Sequence, residues 1–298
     1  MKKSKKIIDM KRELPPVPKN MDLPDKMRQN NSGKMLNRLL ISTPTVGSVR
    51  MEWVQGRFGQ TIPTNFSLVD VHQFMTSYAP LGYQLADAEN LSAKVVVEGG
   101  FEWMLSWEDD NIPPLDALVR VNQYIIKNDT PVVSGLYFTK SVPPEPILYR
   151  GMGRGYYADW KLGDKVWVDG VPFGFNLISG KIIKALWDES PEYMVNGTVT
   201  RRVFDSPSES YIDPETGGWI NKSGTSDLAW CKRIMTNKIF EKAGWPEYEG
   251  KEFPFLVDTS IFVKHIDRNT GEQFPTQLPK DFLDGKITWQ EALRILTS

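Results

Sequence analysis

One cysteine, Cys231, serves the whole 298-residue chain, which excludes an intramolecular disulfide and any cysteine-based zinc cluster. Histidine is nearly as scarce. His72 and His265 are the only two, so a multi-histidine metal centre is excluded and any metal must be held mainly by oxygen. No segment approaches the ~18 consecutive apolar residues of a membrane span. Lys2, Lys3, Lys5 and Lys6 resemble the charged start of a signal peptide, but no long apolar run follows. A cytoplasmic protein is the expectation. A formal net charge of −1 provides no global basic field, so dedicated nucleic-acid binding is not suggested.

What is present suits a globular protein with a substantial core: 40% of residues are hydrophobic and 24% charged. Residues 1–36 carry the lysines and then Pro15, Pro16, Pro18 and Pro24, and read as a flexible arm. Such an arm is either a solvated tail or a contact for an anionic surface. Residues 37–275 form the main domain, and 276–298 a C-terminal helical extension in which Thr288-Trp289-Gln290-Glu291 is a capping box.

Along the domain, strand and helix patterns alternate. Arg38 to Thr43 reads as a strand ended by Pro44, while Leu68, Val71, Met75 and Tyr78 fall at helical spacing before Pro80 and Gly82. Tyr83-Gln84-Leu85-Ala86 reads as a short strand, followed by a helix from Ala88 to about Glu98. A helix carrying Leu115, Leu118, Val121 and Ile125 precedes a strand from Pro131 to Phe138. Phe173 to Ile178 is a further strand, leading to a helix with Ile182, Ile183, Leu186 and Trp187. Ser226-Asp227 opens a helix with Leu228, Ile234, Met235, Ile239 and Phe240 as core positions, and Leu256 to Val263 is a late strand. This alternation predicts an α/β fold, a mostly parallel mixed sheet with helices on both faces.

The most informative stretch is Phe101-Glu102-Trp103-Met104-Leu105-Ser106-Trp107, an aromatic-rich run that stops at Glu108-Asp109-Asp110 and then at Pro113-Pro114. The run predicts a buried strand. If strand geometry persists to its end, Glu108 and Asp110 share one face and Asp109 points to the other. Two carboxylates on one face suit a hard divalent cation, and open α/β sheets bind ligands at the carboxyl ends of strands. An acidic turn is the alternative, because Asp, Asn and Pro favour turns.

Later features also carry two readings each. The glycine-rich Gly151 to Gly155 stretch lacks the Lys-Ser/Thr end of a P-loop and opens no helix, so a mobile loop is the better account. Thr200 to Thr225 is a long polar stretch, of the kind that is usually functional or disordered. Its embedded Tyr211 and Trp219 favour an active-site lid. Asp227 is either a first-turn acid favoured by the helix dipole, with Ser226 capping, or a catalytic carboxylate. His265 is either a satisfied polar residue or part of a site collected at strand ends.

In order, these elements resemble the GT-A-type glycosyltransferases from about Arg38 to Asp267. The resemblance rests on Leu40-Ile41-Ser42-Thr43-Pro44, Asp87-Ala88-Glu89-Asn90 opening a helix, and Glu108-Asp109-Asp110 in place of the family's Asp-X-Asp. Gly174-Phe175-Asn176-Leu177-Ile178, Ser226-Asp227 and His265 complete it. There are two departures: Glu108 replaces an aspartate, and Glu89 stands where many members carry an arginine. The resemblance implies a single GT-A-like Rossmann-type domain and a metal-dependent transferase. Such an enzyme moves a sugar from a nucleotide-diphosphate sugar to a hydroxyl of a glycan, lipid, protein or nucleic acid. It implies Mn²⁺ or Mg²⁺ on Glu108, Asp110 and His265, the histidine tilting the choice towards Mn²⁺. It also implies Thr43, Pro44, Asp87, Asn90 and Asp109 around the nucleoside, with Asp227 near the acceptor.

Two other classes stay open. A nucleotide-sugar pyrophosphorylase or related nucleotidyltransferase also couples an α/β sheet to a metal, although Pro44-Thr45-Val46-Gly47-Ser48 is poor in the glycine and basic residues usual after its first strand. A non-catalytic sugar-binding module draws support from the 10 tryptophans.

Overall fold

The computed structural model describes residues 38–62, 74–151, 155–212, 214, 216 and 219–298; the expected N-terminal arm lies outside them. In chain order the elements begin with β1 (Arg38–Ser42), α1 (Met51–Phe58), β2 (Phe74–Tyr78), α2 (Leu85–Gly99), β3 (Trp103–Trp107) and β4 (Asn111–Ile112). Then come α3 (Ala117–Lys127), β5 (Val132–Leu136), β6 (Lys165–Val168), β7 (Phe175–Ser179), α4 (Gly180–Glu189), β8 (Glu192–Val195) and β9 (Thr198–Arg201). They continue with β10 (Ser208–Ile212), β11 (Trp219–Ser223), α5 (Ser226–Thr236), α6 (Ile239–Lys242) and β12 (Phe255–Phe262). The remaining elements are β13 (Lys264–Ile266), β14 (Gln273–Phe274), α7 (Lys280–Leu283) and α8 (Trp289–Thr297).

Seven strands form the central sheet in the order β2-β1-β3-β7-β5-β12-β6. β2, β1, β3, β5 and β12 run in one direction, and β7 and β6 oppose them. Alternation along the strands sorts the core into two layers, as the two-residue period requires. Leu39, Ile41, Trp103, Leu105, Val133 and Leu177 face α1 and α3, while Leu40, Met104, Val132 and Ile178 face α2, α4 and α5. The expected mixed sheet with helices on both faces is what forms. Phe282, Trp289 and Ala292 join the second layer, so the C-terminal helices pack into the same core, and the Thr288 capping box is present.

Several local expectations are overturned. Phe74–Tyr78 is a strand paired in parallel with β1, not the end of a helix; Leu68 and Val71 lie outside the described residues. Residues three apart share a face on a helix but oppose each other on a strand, and Met75 and Tyr78 do pack into opposite layers. The strand expected at Tyr83 to Ala86 is absent because α2 already starts at Leu85. Leu115 is 59% exposed ahead of α3 rather than in the core. The expected helix from Ser226 to Phe240 breaks where Lys238 turns left-handed (φ 55°), and Thr225, not Ser226, is the N-cap of α5. The polar stretch from Thr200 to Thr225 is not structureless: β10 and β11 form an antiparallel hairpin in it.

Candidate active site at the carboxyl edge of the sheet

Because β1, β3, β5 and β12 run the same way, their carboxyl ends deliver Thr43-Pro44, Glu108-Asp109-Asp110, Tyr137-Phe138 and Val263-Lys264-His265 to one edge. β3 does not extend through the acids. Glu108 N–H donates to the Gly174 carbonyl (2.9 Å), and Asn111 N–H to the Glu108 carbonyl (3.2 Å), closing a turn. Indole N–H groups of Trp53 and Trp107 then lock the carbonyls of Glu108 and Asn111, each at 2.9 Å. The expected sharing of a face by Glu108 and Asp110 is therefore corrected. In the turn it is Asp109 and Asp110 that meet the Arg268 guanidinium, while Glu108 borders the two cavities described below.

Asp110 is the best-compensated acid in the site. Its Oδ2 accepts from Lys140 Nζ (2.8 Å) and lies 3.4 Å from His265 Nε2, and its Oδ1 accepts from Asn111 Nδ2 (3.0 Å). Burial alone would raise its pKa, but the contacts with His265 and Lys140 hold it well below the usual carboxylate range. His265 Nδ1 lies 3.0 Å from the Phe138 carbonyl, which can only accept. Nδ1 thus carries the hydrogen, and in the neutral ring Nε2 turns its lone pair towards Asp110. Asp110 Oδ2, which also accepts from Lys140, lies 3.4 Å from that nitrogen. Among the described residues no group of three His, Cys, Asp or Glu side chains converges for a metal; of the three residues expected to hold one, Asp110 and His265 meet. Asp109 is buried, and one of its oxygens lacks a partner. Burial raises its pKa despite the Thr45 hydroxyl and Arg268.

Two cavities open on this turn. One, of about 410 Å³, is lined by Pro44, Thr45, Tyr83, Gln84, Glu108 and Arg268 among others. The other, of about 280 Å³, is lined by Glu89, Glu108, Phe173, Ser226 and Asp227 among others. Leu85 and Glu108 belong to both. Burial, with the nearby charges of Asp110 and Asp227, pushes Glu108 up to about 8. Asp227 stands in the first turn of α5, accepts from Leu228 N–H (2.8 Å), and is also raised by burial. Cavities of about 620 and 830 Å³ lie elsewhere and include none of these acids.

Gly174 makes the close approach at the turn possible. Its N–H donates to Tyr137 Oη (2.8 Å), and a Cβ there would lie 2.5 Å from that oxygen and 2.7 Å from Asn111 Nδ2. Tyr137 packs edge-on against His265 (5.7 Å), and Asn111 bonds Asp110. Gly174→Ala should therefore cost about 1–3 kcal/mol in denaturant unfolding, as overpacking does, and should weaken ligand binding by moving both groups. A variant as stable as wild type would show that the turn yields without strain.

Other residues implied by the resemblance have different partners. Asp87 Oδ1 accepts from Tyr193 Oη (2.8 Å), and Asn90 donates to Tyr193 Oη and to the Phe204 carbonyl, both at 2.8 Å. Asn90 is 1% exposed and also accepts from Phe204 N–H. With both amide hydrogens engaged, Asn90 ties α2 to the segment around β8 and β9 instead of facing the Pro44 cavity. Thr43 is buried, its N–H bonded to the Tyr78 carbonyl, while Pro44 lines the larger cavity. Sequence reasoning missed Lys140, Arg268 and Tyr137. Their one signal was position just beyond the ends of β5 and β13.

No protein-family model matches the sequence, and no curated protein matches it. Among solved structures, A197 from STIV matches over 78% of this chain and 87% of its own, at 15% identity and a TM-score of 0.45. GalNAc-T7 with UDP, GalNAc and Mn²⁺ matches over 80% of this chain, at 11% identity and a TM-score of 0.42. That match takes in 45% of the GalNAc-T7 chain. Both likenesses are distant.

Proposed function

We propose that this chain transfers a sugar from a nucleotide-diphosphate sugar to a hydroxyl acceptor, with a divalent cation beside the diphosphate. The observation that carries this reading is the pair of cavities joined at Leu85 and Glu108, one bordered by Arg268 and the other by Asp227. The larger has room for a nucleoside diphosphate, with Arg268 as a cationic partner for the phosphates. The smaller suits the sugar, with the bond to be cleaved near Glu108. From its wall Asp227 is positioned to take the acceptor hydroxyl's proton.

Asp110 and His265 fit a divalent ion: a carboxylate oxygen faces an imidazole lone pair whose ring is fixed through its other nitrogen. Mg²⁺ and Mn²⁺ accept few protein ligands when substrate phosphates and water complete the shell. Such an ion, when bound, stabilises negative charge on the departing diphosphate. Pro207, whose carbonyl accepts from Gly224 N–H (2.8 Å), closes the base of the β10–β11 hairpin. Ser206, Gly224 and Thr225 line the smaller cavity. The hairpin therefore rises from the cavity rim, which supports a covering role.

Thermal unfolding with a panel of UDP, GDP and dTDP sugars, with Mn²⁺ or chelator, tests this reading. A specific donor at ~100 times its Kd adds about 2.7 kcal/mol of stability. Mn²⁺-dependent stabilisation followed by release of nucleoside diphosphate is expected. Conversion of the nucleotide-sugar to nucleoside triphosphate and sugar 1-phosphate when inorganic diphosphate is added would make the protein a nucleotidyltransferase. Chelator-indifferent glycan binding without donor consumption would make it a sugar-binding module.

A further inference from the structure

We propose that Glu89 is the specificity residue of the smaller cavity, pairing with a hydroxyl of an uncharged sugar ring, and that a lining without a cationic side chain among the described residues excludes sugars bearing a carboxylate. The proposal rests on the transferase reading and names the class of sugar that reading leaves open.

Glu89 lies on α2, 4% exposed, and lines the cavity with Glu108 and Asp227. Neither of its carboxyl oxygens has a hydrogen-bond partner among the described residues. Ser226 is near enough to ease its charge, without a bond of ordinary length. A buried polar group left in this state is costly, so a ligand that satisfies it binds with an advantage. Burial, reinforced by Glu108 and Asp227, raises the Glu89 pKa well above the ordinary value. The shift favours its protonated form over that of an exposed glutamate, and that form offers one O–H donor and one carbonyl acceptor. A sugar hydroxyl, which both donates and accepts, matches that pair.

The rest of the lining agrees. Leu85 and Phe173 supply apolar wall for the C–H face of a ring, and Ser206, Thr225 and Ser226 supply hydroxyls. Among the described residues no Lys, Arg or His lines this cavity, so a carboxylate on the sugar would be buried there without a counter-ion. Its volume of about 280 Å³ is at the low end for small-molecule sites, which suits one ring.

The test uses the full chain with Mn²⁺ and calorimetry. UDP, GDP and dTDP are titrated first. The nucleotide that binds is then compared with its hexose and hexuronate conjugates, such as UDP-glucose, UDP-galactose and UDP-glucuronate. Wild type should bind at least one hexose conjugate about tenfold more tightly than the uronate. Glu89→Leu should lose about tenfold for that hexose conjugate with bare-nucleotide affinity unchanged. Glu89→Gln, which keeps a donor and an acceptor, should recover most of the loss. Equal hexose and uronate affinities in wild type would overturn the proposal even if the variants do not fold. So would a folded Glu89→Leu that binds the hexose conjugate normally. Bare-nucleotide binding would survive either result, leaving the transferase reading intact. Failure of every nucleotide to bind would overturn the transferase reading, and this proposal with it.

Discussion

Asp227→Asn should lower sugar transfer by roughly 10²–10⁴-fold, the usual contribution of a general base, with donor affinity near wild type. A purely structural role predicts much less. A first-turn acid gains only about 0.3–1 kcal/mol from the helix dipole, and Thr225 occupies the cap position. Asn keeps the shape and can still accept from Leu228 N–H, so the start of α5 should hold. Burial raises the Asp227 pKa, making it a readier proton acceptor than an exposed carboxylate. Its protonated form cannot accept a proton, so activity is lost as pH falls through that raised value. The acid limb of the pH–rate profile should therefore lie above the ordinary carboxylate range and disappear in Asp227→Asn. Calorimetry beside a transfer assay checks the split. Near-normal transfer by the folded variant would remove Asp227 from the chemistry.

Asp110→Asn should weaken donor binding in Mn²⁺ by about 10–100-fold, the range seen when the surroundings of a metal are disturbed. Affinity should fall to the level that wild type shows in chelator. The substitution preserves side-chain size but removes the charge that faces Lys140, Arg268 and the His265 lone pair. The decisive readout is the Mn²⁺-dependent rise in Tm, which wild type should show and the variant should lose. A different result has a physical account in the same residues. If wild type ignores chelator while Lys140→Ala or Arg268→Ala weakens binding, those two cations neutralise the diphosphate and the metal is withdrawn.

The central sheet was legible because its strands are short apolar runs whose alternate residues enter opposite layers, as in Leu39-Leu40-Ile41. The edge strand β2 was not, since Met75 and Tyr78 carry a spacing that also suits a helix. The hairpin of β10 and β11 was hidden by its polar composition, which resembles a loop. In the site, Glu108-Asp109-Asp110 announced itself, but its geometry depends on a turn bonded to Gly174, 66 positions after Glu108 in the numbering. The partners of Asn90 were not legible, because Tyr193 and the Phe204 backbone reach it only in the folded chain. Lys140 and Arg268 could not be assigned to the acids beforehand, because only the completed sheet brings the ends of β5 and β13 beside β4.

That late pairing governs when the protein can work. His265 lies opposite Asn111 in the β13–β4 ladder, and its ring is fixed by the Phe138 carbonyl. The Phe138 ring packs in turn on Trp289 of α8 (4.9 Å). During synthesis the acids after β3 therefore exist long before the partners that give them direction. Competence should arrive in a single late step, once the chain has emerged past Arg268 and Trp289 has closed over Phe138. A shortened chain that ends before Trp289 would carry every proposed catalytic side chain and still lack the support that aligns His265.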